Sequence, residues 1–273
     1  MLKDEVADQL VYATVRITAN WDKVIKVGTG FFMVKESEEG ASQFALVTNR
    51  HVVEGAKNII LHMVLKNIDG TPNDSNHLEL KIDSVQDVCK YHPNTLMDIC
   101  LISIGDQFEE LKKNGCDIYY KQISTTMIVS PEGLESLTPI EDVVMIGYPN
   151  GIMDTANYKP VVRSGITATD LKKDYNGKPE FMIDIACFEG SSGSPVFLRK
   201  QGLEKEQTTD GITLAIKPQY AFLGVLYSGP YYTADGKIVV EDIPTAAVPM
   251  AKTKTMINLG YVIKAKKIIE MFD

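Results

Sequence analysis

The chain has 273 residues, of which 44% are hydrophobic and 23% charged, an ordinary globular composition. That length allows one large β domain or two lobes sharing an interface, and a formal net charge of −8 argues against nucleic acid or an anionic membrane surface as partner. The start, MLKDEVADQLVYATVRI, lacks a basic segment followed by an apolar core and a cleavage site, and no apolar run approaches the ~18 residues of a membrane span. With residue 1 taken as the native start, a cytoplasmic protein is expected. The four widely spaced cysteines, Cys89, Cys100, Cys116 and Cys187, read as buried free thiols of a reducing compartment.

Short apolar segments separated by turns follow one another along the chain. QLVYATVRITANW, IKVGTGFFMV, FALVTNRHVV, NIILHMVLK, HLELKIDSV and DICLISI are rich in Val, Ile, Thr and aromatics with partial alternation, the pattern of strands. A less regular stretch from GDQFEELKKNGC to SPEGLESLTPIED predicts a short helix and a connection between lobes. Strands resume with VVMIGYP, VVRSGITAT, EFMIDIACF, SPVFL, YAFLGVLYSG and KIVVEDIP, and the dipeptides Asn176-Gly177 and Asp235-Gly236 suit tight hairpin turns. The tail GYVIKAKKIIEMF has apolar residues at helical spacing and reads as one amphipathic helix. The expected fold is therefore all-β: two six-stranded antiparallel β-barrels with a C-terminal α-helix. Its divisions are a first barrel over residues 1–110, an interlobe connection over 111–140, a second barrel over 141–257 and the helix over 258–273.

The segment FEGSSGSPVF, Phe188 to Phe197, holds Ser191, Ser192 and Ser194 among glycines and is either a polar turn or the home of a nucleophile. A serine hydroxyl needs an adjacent base, and the base an orienting acid. Of four histidines, His62, His77 and His92 read as structural or solvated, whereas His51 ends an apolar run and would stand at a sheet rim. Asp98 directly precedes ICLISI, where a strand enters the core, and a carboxylate there needs a donor such as an imidazole N–H. Glycines beside the central serine let backbone N–H groups converge on a developing oxyanion. Cys89 and His92 in CKYH have no second pair at ligand spacing, so no metal site is expected.

TNRHVV, DICLIS and GSSGSPV, in the order His, Asp, Ser, resemble the chymotrypsin-like (trypsin-fold) serine peptidases. VGTGFFMV, VVMIGYPNG and LGVLYSG extend the resemblance over about residues 10 to 260, nearest to the disulfide-free bacterial branch that includes HtrA-type and glutamyl-endopeptidase-type enzymes. The resemblance implies Ser192 as nucleophile, His51 as general base and Asp98 as orienting acid, with the N–H groups of Gly190 and Ser192 as oxyanion hole. It places Ala186 near the base of the specificity pocket, Cys187 beside it, and Leu226, Tyr227, Ser228 and Gly229 along a wall. No aspartate falls at the base and no histidine in LGVLYSG, so a small or medium uncharged P1 residue is expected. Ser191 stands where trypsins carry the aspartate that pairs with a new N-terminus, which disfavours activation by N-terminal trimming, and the residues after Ser192 leave no room for an appended PDZ domain. The implied partners are protein or peptide substrates, with no cofactor; a latent or binding-only module activated by, or docking, a partner protein is the alternative.

Overall fold

The runs GFFMV, FALVT, CLI and VVMI lack the polar–apolar alternation of a half-solvated strand. The computed structural model, which describes residues 5–36, 42–208, 211–237 and 250–272, shows the cause: each lies in a strand with both faces buried.

The first lobe comprises helix α1 (Glu5–Tyr12), strands β1 (Thr14–Trp21), β2 (Val24–Glu36) and β3 (Ser42–Thr48), and the single turn α2 (Arg50–Val53). It continues with β4 (Asn58–Lys66), β5 (Pro72–Asp83), α3 (Val85–Val88), β6 (Cys89–Tyr91), β7 (Cys100–Ile102) and α4 (Gly105–Lys113). Two short strands, β8 (Ile118–Tyr119) and β9 (Ile123–Ser124), and helix α5 (Pro131–Glu135) lead to the second lobe. That lobe carries β10 (Asp142–Gly147), β11 (Val161–Thr167), β12 (Glu180–Asp184), β13 (Pro195–Thr208) and β14 (Gly211–Ser228), then β15 (Tyr231–Lys237), β16 (Met250–Met256), β17 (Leu259–Lys264) and α6 (Lys266–Ile269).

The second lobe contains a closed six-stranded barrel, β10-β11-β12-β17-β14-β13. The first lobe corrects the expectation of a six-stranded barrel: it is a nine-stranded sheet in the order β5-β4-β1-β2-β3-β7-β6, with β8 on β4 and β9 on β2. The stretch expected as pure connection thus donates two strands to the first lobe, each too short to leave a period-two pattern.

The tail is a second correction. Residues 259–264 are not helical; they form β17, which pairs with β12 and β14 to close the barrel, and helix is confined to the one turn α6. Val262 packs inside the barrel and Ile263 on the opposite face, so a doubly buried strand imitated helical spacing. Asn176-Gly177 does form the expected tight turn, with φ of 53° and 73° between bridged Tyr175 and Lys178. Asp235-Gly236 does not: both residues lie within β15, opposite Lys252 and Ala251, because ladder pairing overrides their turn preference.

Side chains alternate between three apolar clusters. Phe32, Leu46, Cys100 and Ile102 face the first lobe's core, and Val143, Met145, Val196 and Leu198 face the barrel interior. The intervening residues Phe31, Met33, Val47 and Leu101 meet Val144, Ile146, Phe197 and Phe222 in a shared core between the lobes. At roughly 1.5–3 kcal/mol for each large side chain buried, this shared core welds the lobes into one unit. The serine segment and the histidine loop lie at its rim.

Candidate active site

Strand pairing brings the first two candidate residues together. Thr48, the last residue of β3, is paired with Cys100, the first of β7, so His51 follows one strand end and Asp98 precedes its neighbour. Asn49 is buried and its Nδ2 donates to the Asp98 carbonyl at 2.7 Å, locking the two loops. Asp98 then grips His51 twice: Oδ1 accepts the His51 backbone N–H at 2.9 Å and Oδ2 accepts from ring Nδ1. A carboxylate can only accept, so the ring proton sits on Nδ1 and Nε2 is left as an acceptor. The His51 side chain is 49% exposed, open to the cleft, whereas that of Asp98 is 22% exposed.

The serine segment is folded by the first lobe as much as by its own. Thr29 N–H, on β2, donates to the Ser192 carbonyl at 2.8 Å, and Thr29 Oγ1 donates to the Gly190 carbonyl at 2.9 Å while accepting from Tyr148 N–H at 3.1 Å. Thr48 Oγ1 in turn donates to the Thr29 carbonyl at 2.7 Å. Gly193 N–H donates to the Leu226 carbonyl at 2.8 Å, and Ser194 N–H to Ser191 at 3.0 Å, giving a tight turn. Gly190 and Gly193 adopt φ of +82° and +88°, and a Cβ on Gly193 would stand 1.9 Å from the Thr29 carbonyl oxygen. Only glycine fits there.

Asn150 N–H donates to the Glu189 carbonyl at 2.5 Å, and in a trans peptide this directs the Gly190 N–H the opposite way. Among the described residues, the N–H groups of Gly190 and Ser192 have no backbone or side-chain acceptor. The Ser192 hydroxyl donates to the Tyr227 carbonyl at 3.5 Å rather than to the His51 ring. His51, Gly190 and Ser192 line one cleft of about 540 Å³ with Ile25, Val27 and Gly151.

The expected specificity wall is less uniform. Cys187 and Leu226 are each 2% exposed and turn into the barrel core, and burial pushes the Cys187 thiol up to about 12. Ala186 is half-buried and its carbonyl accepts from Arg163 Nη1 at 3.0 Å. Ser228 is exposed, and the half-buried Tyr227 donates its hydroxyl to buried Glu180 at 2.6 Å. A Cβ on Gly229 would lie 2.9 Å from Met256 Cε, so a methionine methyl abuts this wall. Sequence reasoning missed Thr29, Asn49, Arg163 and Met256. The first lies inside VGTGFF, where a threonine between two glycines within an apolar run was the available signal.

The trypsin-like peptidase domain profile matches residues 28–203, and curated proteins give no match. Among solved structures, the chain is similar to a variant of the Tobacco Etch Virus protease, with a TM-score of 0.50 and 10% identity over all of this chain and 81% of that one. A serine endoprotease from Yersinia pestis has a TM-score of 0.48 and 16% identity over 99% of this chain and 65% of that one. The HtrA-type protease AlgW, solved with a tripeptide, has a TM-score of 0.47 and 17% identity over 97% of this chain and 60% of that one. The chain thus spans less than two thirds of the length of the last two proteins. With the profile covering more than half of its residues, the chain belongs to the trypsin-like peptidase domain family.

Proposed function

We propose that the protein is a serine endopeptidase that hydrolyses peptide bonds through an acyl-enzyme. The observation that carries this reading is the double grip of Asp98 on His51 in the cleft that also holds Ser192. His51 Nε2, free to accept, takes the Ser192 proton as Oγ attacks the substrate carbonyl, and Asp98 stabilises the imidazolium. The N–H groups of Gly190 and Ser192 bind the oxyanion, each such donor contributing roughly 2.7–4 kcal/mol to catalysis. His51 then returns the proton to the leaving amine, and water repeats the sequence on the ester. No step calls for a cofactor.

The same reading gives a small or medium uncharged P1 residue, supported by the Met256 methyl against Gly229 and by the absence of a carboxylate at Ala186. Substrate backbone would lie along Tyr227–Gly229 as an added strand. A cytoplasmic site of action belongs to the reading and is supported by four free cysteines. The test is a peptide-library digest with Ser192→Ala as control. Cleavage after uncharged residues that vanishes in the variant supports the proposal, and a preference for acidic P1 residues, drawn by Arg163, would overturn the specificity.

One observation favours a second reading. The Ser192 hydroxyl is turned to Tyr227, which suits a resting state that a partner protein or substrate converts by rotating the serine side chain towards His51.

A further inference from the structure

Behind the histidine–aspartate pair lie two thiols that the proposed chemistry does not use. Tyr91 pairs with Cys100 and Cys89 with Ile102 across β6 and β7, so Cys89 and Cys100 are diagonal neighbours on one face of the sheet. Cys100 is fully buried and its thiol donates to the Leu101 carbonyl at 3.6 Å, whereas Cys89 is only partly buried. Cys89 is the thiol that a solution oxidant can reach and Cys100 the enclosed one, and their contact lowers the Cys89 pKa while raising that of Cys100.

Cys100 is also the residue through which both members of the pair are held. It follows Asp98 by two residues and is paired with Thr48, three residues before His51. Arg50, next to His51, lies over the Tyr91 ring at 4.9 Å, so β6 also touches the histidine turn. Diagonal neighbours in an antiparallel pair have Cα atoms about 7–8 Å apart. A disulfide requires roughly 4.4–6.8 Å, so bridging Cys89 to Cys100 draws β7 along β6. A bond formed under that constraint is readily reduced.

We propose that Cys89 and Cys100 are a reversible oxidation site, closing to a disulfide on reaction with a hydroperoxide and displacing Asp98 from His51. The Cys89 thiolate attacks the peroxide; an S–O bond forms, the O–O bond breaks, and the departing alkoxide takes a proton and leaves as an alcohol. Cys100 sulfur then attacks the Cys89 sulfenic acid, the S–S bond forms, the S–O bond breaks, and water departs with the Cys100 proton. Two thiols are oxidised and one peroxide is reduced. The effect on hydrolysis rests on the peptidase reading above; the chemistry of the thiols does not.

The test treats full-length protein carrying Cys116→Ser, which removes the other partly exposed thiol, with hydrogen peroxide. Three quantities are read before and after dithiothreitol: the mass of peptides spanning residues 89 and 100, the downfield NMR signal of His51 Nδ1–H, and peptide hydrolysis. The expected result is a linked peptide lighter by two hydrogen atoms, a lost or shifted His51 signal, and kcat/KM down at least about tenfold, all reversed by reductant. Cys89→Ser should keep the basal His51 signal and hydrolysis and respond to none of the treatment. Separate peptides, overoxidised Cys89, or a linked peptide with an unmoved His51 signal would overturn the proposal. Should the reduced protein hydrolyse nothing, the peptidase reading fails, while the mass and NMR signals still decide the thiol pair.

Discussion

Thr29 and Ser192 are joined main chain to main chain across the lobes, the Thr29 N–H donating to the Ser192 carbonyl at 2.8 Å. The same threonine holds the Gly190 carbonyl with its hydroxyl. Ser192 and Gly190 are thus positioned by a strand of the opposite lobe, and the candidate site depends on how the lobes pack.

Replacing Thr29 tests that dependence. Thr29→Val keeps volume but strands the Gly190 carbonyl and the Tyr148 N–H, and leaving such groups buried costs about 1–3 kcal/mol each. The expected outcome is a kcat lower by about 10²-fold with KM little changed, as for loss of oxyanion stabilisation. Thr29→Ser, which restores the hydroxyl, should recover most of it in the same steady-state assay.

Asp98→Asn should leave the fold intact and kcat about 10⁴-fold lower. An asparagine amide facing Nδ1 would donate to it and force the ring proton onto Nε2, where it cannot accept from Ser192. Thermal unfolding checks the first part and steady-state hydrolysis the second.

Gly193→Ala places a methyl against the Thr29 carbonyl and imposes a left-handed conformation that alone costs about 1–2 kcal/mol. Because the Thr29 carbonyl is backbone and cannot swing aside, both stability and activity should fall together. Urea unfolding, read as a drop in midpoint, checks it.

The three catalytic candidates were legible because each sits where an apolar run ends: His51 after FALVT, Asp98 before ICLIS, Ser192 before PVFL. Strand ends carry side chains into a cleft, and the residue types there are the ones acyl transfer needs. Less legible was whatever depends on which strands meet. Thr29 looks like any strand threonine until β2 is seen against the serine turn. The two-residue strands β8 and β9 leave no periodic trace, and Val262 and Ile263, buried on opposite faces of β17, imitate a helix. Cys187 and Leu226 were expected along a pocket, but Leu226, on β14, and Cys187, in the loop after β12, both turn into the barrel.

Stability should fall in mild acid through His62. Its Nε2 accepts from Arg16 at 2.8 Å and Thr18 at 3.0 Å, so the ring is held neutral, and burial followed by the Arg16 charge depresses its pKa below 6.5. The folded form therefore binds its proton less readily than the unfolded chain. The stabilisation is fully present above about pH 6.5 and is lost as pH falls through the lower folded pKa. The melting temperature of the wild type should drop more steeply below that point than that of His62→Gln, which keeps an acceptor without titrating; parallel profiles would contradict the assignment.

The most direct measurement of the central claim is reaction of the purified protein with a fluorophosphonate probe, followed by peptide mapping. The account predicts a covalent adduct on Ser192, absent in Ser192→Ala and strongly reduced in His51→Ala, because only an assembled base and oxyanion hole activate this hydroxyl. A well-folded protein that takes no label, with or without peptide substrate present, or one labelled equally in Ser192→Ala, would contradict it.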